Sequence, residues 1–191
     1  ELVNPGTPNL RGEITAPDNE AINLGQIGAD AGRVGIYAGL INHSGTIRAD
    51  SAVVDESGHI VLKATKNATL ESGSVTTANG PSGGRIGIQS DSGMASVAGM
   101  VEARGMEGAG GTVAVNGDVV INTARINASG STGGTVAVSA RNYLGAGTIS
   151  ADGAAGAGGQ VDVRASARII QTAAEQVSAK GAGDGGKIVI A

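Results

Sequence analysis

Short stretches in which aliphatic and polar residues alternate recur along the chain about every 26 residues. Each stretch opens with a glycine, and the second and fourth residues after that glycine are aliphatic. Alternation with a period of two predicts a β-strand with one buried face. The opening glycines are Gly32, Gly58, Gly84, Gly111, Gly134, Gly159 and Gly186.

A second strand signal lies late in each repeat, where an aliphatic residue is followed two positions later by a small one. The small residue predicts a corner at which the wall turns inward and a larger side chain does not fit. The pairs are Ile47 and Ala49, Val75 and Thr77 (the weak member), Val101 and Ala103, Ile126 and Ala128, Ile149 and Ala151, and Val177 and Ala179. A third, less regular apolar position lies between the two signals, at Leu40, Leu70, Val97, Ile121, Leu144 and Ile169.

The repeats predict an all-β, parallel β-helix of about seven to eight coils, each of roughly 26 residues and three short strands. Side chains of one type at one phase of every repeat stack when coils lie on one another about 4.8 Å apart. Helices are disfavoured, because glycine interrupts every stretch that could hold helical spacing. We expect a single unit over 1–191, a fragment of a longer chain, with an entry segment (1–11), a first coil (12–31) and regular coils (32–191).

Composition agrees with a narrow aliphatic interior. Phe, Trp and Cys are absent, and Tyr37 and Tyr143 are the only aromatic residues. The lack of cysteine excludes disulfides and thiolate chemistry. A formal net charge of −4 provides no basic field for nucleic acid, and no apolar run reaches the length of a membrane span, so we expect neither nucleic-acid binding nor membrane insertion.

Several phrases resemble the filamentous-haemagglutinin-type exoproteins of Gram-negative two-partner secretion. The resemblance covers about residues 12–191 and rests on phrases that recur in order: Gly32-Arg33-Val34-Gly35-Ile36, Ser44-Gly45-Thr46-Ile47-Arg48-Ala49-Asp50, Gly58-His59-Ile60-Val61-Leu62, Val101-Glu102-Ala103-Arg104-Gly105, Gly110-Gly111-Thr112-Val113-Ala114-Val115 and Gly185-Gly186-Lys187-Ile188-Val189-Ile190.

This resemblance implies a right-handed β-helix that is exported through a partner outer-membrane transporter. The implied role is the structural shaft of a secreted adhesin or biofilm-matrix protein at the surface of a Gram-negative bacterium. Host surfaces, polysaccharide or matrix components and lateral self-association are the implied contacts. The family's secretion domain carries an Asn-Pro-Asn motif, whereas this chain has only Asn4-Pro5-Gly6 and Pro8-Asn9-Leu10, so we interpret the chain as shaft that follows that domain.

The alternative is a carbohydrate-binding or carbohydrate-cleaving β-helix, which would need converging carboxylates. The nearest candidates are Asp50, Asp55 and Glu56, with Arg48 and Lys63 close in sequence. We interpret them as solvated turn charges and expect no catalytic residues.

Metal and cofactor sites are not expected either. His43 and His59 lie 16 positions apart on different coils, without a third ligand. Residues 181–186 and the pair Asp152 and Gly153 imitate fragments of a calcium-binding nonapeptide, but a period near 26 is wrong for that motif.

One column of outward positions, three residues after each opening glycine, is almost free of charge. Stacking would make it a smooth strip suited to contact with another rod, a covering segment or a host surface, or simply a wall with relieved crowding. This contact strip comprises Gly35, Val61, Gly87, Ala114, Ala137 and Val189, with Asp162 as the charged exception.

Overall fold

The protein is a β-solenoid of about seven turns, seen in a computed structural model that describes residues 11–53 and 57–191. Neither range contains a helix, and therefore neither contains a helix able to span a membrane. The strands are β1 (Arg11–Asn23), β2 (Gln26–Gly28), β3 (Arg33–His43), β4 (Thr46–Arg48), β5 (His59–Leu70), β6 (Val75–Thr77), β7 (Arg85–Ser90), β8 (Met94–Val97), β9 (Met100–Glu102), β10 (Thr112–Asn122), β11 (Arg125–Asn127), β12 (Thr135–Gly145), β13 (Thr148–Ser150), β14 (Gln160–Gln171), β15 (Gln176–Ser178) and β16 (Lys187–Ile190).

Two parallel sheets run the length of the rod. The long-strand sheet has the order β1-β3-β5-β7-β10-β12-β14-β16, with β8 pairing to β5 and β10. The short-strand sheet has the order β2-β4-β6-β9-β11-β13-β15. Each coil therefore contributes to both sheets, with two strands in the long-strand sheet for the coil of β7 and β8, and strands inside the rod pair with their equivalents in the coils before and after.

The register stacks equivalent residues and confirms the predicted phase of the first strand signal. Val113 lies between Ile86 and Val136, and Val115 lies between Ile88 and Val138. All of these side chains are at most 2% exposed. Two continuous aliphatic columns fill the interior along the long-strand sheet, and their last members, Ile188 and Ile190, are exposed in the final coil.

The opening glycines stack on one another at a corner that has no room for a side chain. A Cβ on Gly134 would lie 2.2 Å from the carbonyl oxygen of Gly111 and 2.6 Å from that of Ala128. The N–H of Gly134 donates to the Ala128 carbonyl at 2.9 Å. In most coils the same backbone hydrogen bond joins the opening glycine to the small residue of the second strand signal. The hydrogen bond brings the two residues close together, which explains why both are small.

The second strand signal was predicted one residue out of phase in one coil. The structure places Thr76, not Val75, between Ile47 and Val101, and Ala78 is fully buried at the corner. Thr77 instead points outward and donates its hydroxyl to the Asp50 carboxylate at 3.1 Å. The misassignment arose because a buried threonine carries no hydrophobic signal.

The predicted first and middle strands of a coil are usually one continuous strand. Strands β3, β5, β10, β12 and β14 run through both positions, and only the coil that holds β7 and β8 is divided. The middle apolar residues differ in exposure whether or not their strand is divided: Leu70 and Val97 are fully buried, whereas Leu40, Ile121 and Leu144 are more exposed. In the first coil Ile27 and Ala29 pack inward, but Ile22 and Leu24 are exposed.

His43 is a fully buried polar residue in the interior of the early coils. Its Nδ1 faces the side-chain amide of Asn23 at 3.1 Å, and its Nε2 faces the Val75 carbonyl at 3.4 Å. The Asn23 Oδ1 accepts the N–H of Gly25 at 3.1 Å, so the Asn23 amide presents its N–H group to the imidazole. The neutral ring with its proton on Nε2 satisfies both contacts, and burial lowers the His43 pKa.

Gly134→Ala should destabilise the protein by about 3 kcal/mol or more, because the new Cβ meets two backbone carbonyls that cannot move aside. Gly183→Ala is the matched control, since a Cβ there meets nothing within 4 Å. Thermal unfolding of the two variants measures the difference. Equal melting temperatures would show that the corner has room and that the stacked glycines are not required.

Thr76→Val should stabilise the protein by about 1 kcal/mol, because the buried Thr76 hydroxyl has no hydrogen-bond partner. Thr77→Val should destabilise it by a similar amount, through loss of the bond to Asp50. Denaturant titration compares the two. The opposite order would restore the predicted phase, with Val75 and Thr77 inward.

Acidification should destabilise the protein through His43. Because its folded pKa lies below the unfolded value, the unfolded chain binds the proton more tightly. Stability is therefore complete above about pH 6.5 and falls as the pH drops toward the folded pKa. Melting temperatures across this range should fall less for His43→Leu than for the parent. If His59→Gln removes the loss of stability at acid pH and His43→Leu does not, His59 is responsible and the prediction is wrong.

Candidate functional site

The contact strip lies on the outer face of the long-strand sheet, where the strand register places its members in one column. Gly35 pairs with Val61, Gly87 with Ala114, and Ala137 with Asp162. The Tyr37 ring lies over Gly35, because a Cβ there would meet Tyr37 Cε2 at 2.8 Å. Whether the strip contacts a partner stays a prediction.

A column of basic residues, two arginines and one histidine, borders one side of the strip in the early coils. Arg33, His59 and Arg85 stack in consecutive strands. Burial lowers the His59 pKa, and the charges of Arg33 and Arg85 lower it further. Thr112 and Thr135 continue this column, so it is a mixed polar column. The cavity beside it is about 200 Å³ and also contacts Glu13 and Tyr37.

Of the three acidic candidates, which the sequence pattern led us to interpret as solvated turn charges, Asp50 is the one within the described residues. The Asp50 carboxylate accepts hydrogen bonds from the Asn79 N–H at 2.7 Å and from Thr77, so it ties one coil to the next. Arg48 pairs with Asp30 at 3.8 Å and Lys63 with Asp91 at 3.4 Å. Asp55 and Glu56 lie outside the described residues.

The histidine pair and the calcium-like turns hold no metal cluster in the part of the chain that the structure describes. No group of three or more histidine or carboxylate side chains converges there. His43 is buried inside the solenoid, whereas His59 lies on its outer surface. Asp152 links its turn to the next coil, because its Oδ1 accepts hydrogen bonds from the Lys180 N–H at 2.7 Å and the Ser178 hydroxyl at 2.5 Å.

A groove of about 630 Å³ lies on the outer side of the short-strand sheet, across three consecutive coils. Its floor is formed by the outward residues of β11 and β13 and by the residues that follow them. Its wall is formed by the turns that link the short strands to the next coil. The lining residues are Arg104, Gly105, Met106, Glu107, Arg125, Asn127, Ser129, Gly130, Ser131, Ser150, Asp152, Ala154 and Ala155.

The wall of this groove is held by backbone hydrogen bonds between successive turns. The Ser131 N–H donates to the Gly108 carbonyl at 2.8 Å, and the Ala154 N–H donates to the Gly130 carbonyl at 2.9 Å. The sequence analysis missed the groove because each turn is short by itself. Stacking converts these short turns into one continuous ridge, which we call the loop ridge (residues 105–110, 130–133 and 153–158).

The sequence contains a signal for the polar side chains of the groove. They are next to inward residues in the strands, and alternation therefore places them on the outer face. Arg125 and Asn127 flank the buried Ile126, and Ser150 follows the buried Ile149. Asn127 is only 7% exposed, and its Oδ1 accepts the Ser129 N–H at 2.9 Å. The arrangement presents cationic, amide and hydroxyl groups along one concave surface.

Comparison with known proteins gives one structural match. No protein-family model and no curated protein matches the chain. The crystal structure of the HMW1 secretion domain from Haemophilus influenzae is similar, with a TM-score of 0.71 and 27% sequence identity. The match covers 85% of this chain and 50% of that one, so the chain spans about half the length of the HMW1 domain.

The HMW1 domain belongs to a two-partner-secretion exoprotein. The match is to a secretion domain, whereas the sequence analysis interpreted the chain as the shaft that follows such a domain. The two domains are similar in fold. The match supports the resemblance drawn from the recurring sequence phrases: this chain is a β-solenoid that is similar to a two-partner-secretion exoprotein domain and consistent with a filamentous-haemagglutinin-type segment.

Proposed function

We propose that this solenoid is a non-catalytic structural segment of a secreted exoprotein, exported through an outer-membrane transporter to the surface of a Gram-negative bacterium. The observation that carries the proposal is the similarity over 85% of the chain to the secretion domain of a two-partner-secretion exoprotein. That domain is a secretion domain, and the same process is proposed for this chain. An adhesive or matrix role follows from what such a rod provides, which is reach and rigidity.

The coil architecture supports a structural role. Each coil contacts chiefly the coils next to it, so stability is roughly a sum of coil and interface contributions and the rod can vary in length. Seven turns at about 4.8 Å each give a rod of roughly 35 Å. Of the ionic groups considered for catalysis that the structure describes, Asp50 accepts hydrogen bonds from the neighbouring coil, and Arg48 and Lys63 form surface ion pairs.

Export is the direct test of the proposal. The full-length product of the gene, produced in a Gram-negative host, should reach the medium or cell surface when its outer-membrane transporter is present. It should remain in the periplasm when the transporter is deleted. Immunoblots of the separated fractions measure this. Equal amounts outside the cell with and without the transporter would contradict the proposal.

Deletion of one whole coil tests the structural part separately. Removing residues 112–134 joins Gly111 to Thr135, and Thr135 takes the position of Thr112 because the two residues are in register. The variant should fold, should be exported, and should be shorter by about 4.8 Å in small-angle scattering. Deletion of strand β10 alone is the out-of-phase control and should unfold the rod. If both deletions unfold it, the coil is not an independent structural unit.

A further inference from the structure

The groove on the short-strand sheet contains two cationic side chains that the fold does not use. Arg104 and Arg125 are exposed and line the same concave surface from consecutive coils. The structure shows no ion pair for either guanidinium among the described residues; the pairs there involve Arg48, Lys63 and Arg164. A guanidinium presents a planar set of donors that matches a carboxylate with two parallel hydrogen bonds.

The other groups of the groove suit hydroxyl groups of a ligand. Ser129, Ser131 and Ser150 contribute hydroxyls, and Asn127 holds its side-chain oxygen on the Ser129 N–H, which directs its amide N–H group elsewhere. Hydroxyls act as both donors and acceptors, and an amide N–H group donates. Asp152 and Glu107 are the two carboxylates of the lining. The Oδ1 of Asp152 is committed to the next coil, which leaves Oδ2 as an acceptor for a ligand hydroxyl.

The dimensions of the groove fit a short oligosaccharide. Its volume of about 630 Å³ lies within the range of small-ligand sites. It spans three coils, which is about 10 Å along the axis and roughly the length of two sugar rings. Because the loop ridge is tied from coil to coil by backbone bonds, the groove is formed before a ligand arrives, and little ordering is needed on binding.

We propose that this groove binds a carboxylate-bearing oligosaccharide, with Arg104 and Arg125 engaging sugar carboxylates and the serine and asparagine side chains engaging sugar hydroxyls. No aromatic side chain lines the groove, since Tyr37 lies on the other sheet and Tyr143 is buried. Charge pairing, not ring stacking, is therefore the basis of recognition. Two cations beside two carboxylates do not form the continuous positive field that a nucleic acid requires.

The test is calorimetric titration of the protein at low salt with a galacturonate trimer. Saturable binding is expected, and it should weaken by about tenfold or more for Arg125→Thr and for Arg104→Asn, because each removes one charged pair. Thr148 occupies the position of Arg125 in the next coil, and Asn79 occupies the position of Arg104 in the preceding coil. Each replacement therefore introduces a residue that the same column already contains, so the fold should be kept. The methyl-esterified trimer, which lacks the negative charges, should bind more weakly than the acid.

Arg48→Thr is the matched control. It removes a cation from the same sheet outside the groove and copies Thr77 of the next coil, so it should leave trimer binding unchanged. The proposal fails if the trimer shows no saturable binding or if Arg48→Thr weakens binding as much as Arg125→Thr does. It also fails if the ester, monomeric galacturonate or a single-stranded DNA oligonucleotide binds as tightly as the trimer. Export of the full-length protein is measured separately, so failure here leaves the structural role untouched.

Discussion

The structure depends on the close approach of successive coils at the glycine corner. There the N–H of the opening glycine donates to the carbonyl of the small residue that follows the short strand, at 2.7–2.9 Å for six of the seven opening glycines. The glycine carbonyl in turn accepts the N–H of the residue that follows the next opening glycine, at 2.8–3.0 Å. This geometry leaves no space for a Cβ, and it sets the register of both sheets at every coil. Inward columns, outward columns and stacked turns all follow from that register.

Register also determines which residues lie together on the outer surfaces of the rod. Residues about 26 positions apart become neighbours, so a column of Arg33, His59 and Arg85 or a pair such as Arg104 and Arg125 forms without either member being close in sequence. The loop ridge is the clearest example, because turns too short to build a wall alone build one together. A rod of this kind can therefore carry binding surfaces on its sides while its coils keep a uniform interior.

The interior polar groups lie where the regular aliphatic columns are interrupted. His43 sits in the column that continues with Leu70 and Val97, and its partner Asn23 lies in the coil before it. Further along the rod, the buried Tyr143 hydroxyl donates to Glu175, whose carboxylate occupies the space beside Gly145. Burial and this carboxylate both raise the Tyr143 pKa. The hydrogen bonds of His43 and Tyr143 form only when the coils are in this register, so they favour the native stacking over a slipped one.

The sequence by itself determined the solenoid, its period and most of its core, because strand periodicity and repeat length are local properties that any stacking must respect. Val113, Val115, Ile126 and Ile149 were assigned inward from pattern alone, and all are buried. Only the tertiary structure decided that Thr76 faces inward, that Leu40 faces outward, and that the middle strands continue the first ones. It also decided the groove, whose walls come from turns of unequal length. Their alignment depends on hydrogen bonds between coils, and such contacts between distant segments leave no periodic signal in the chain.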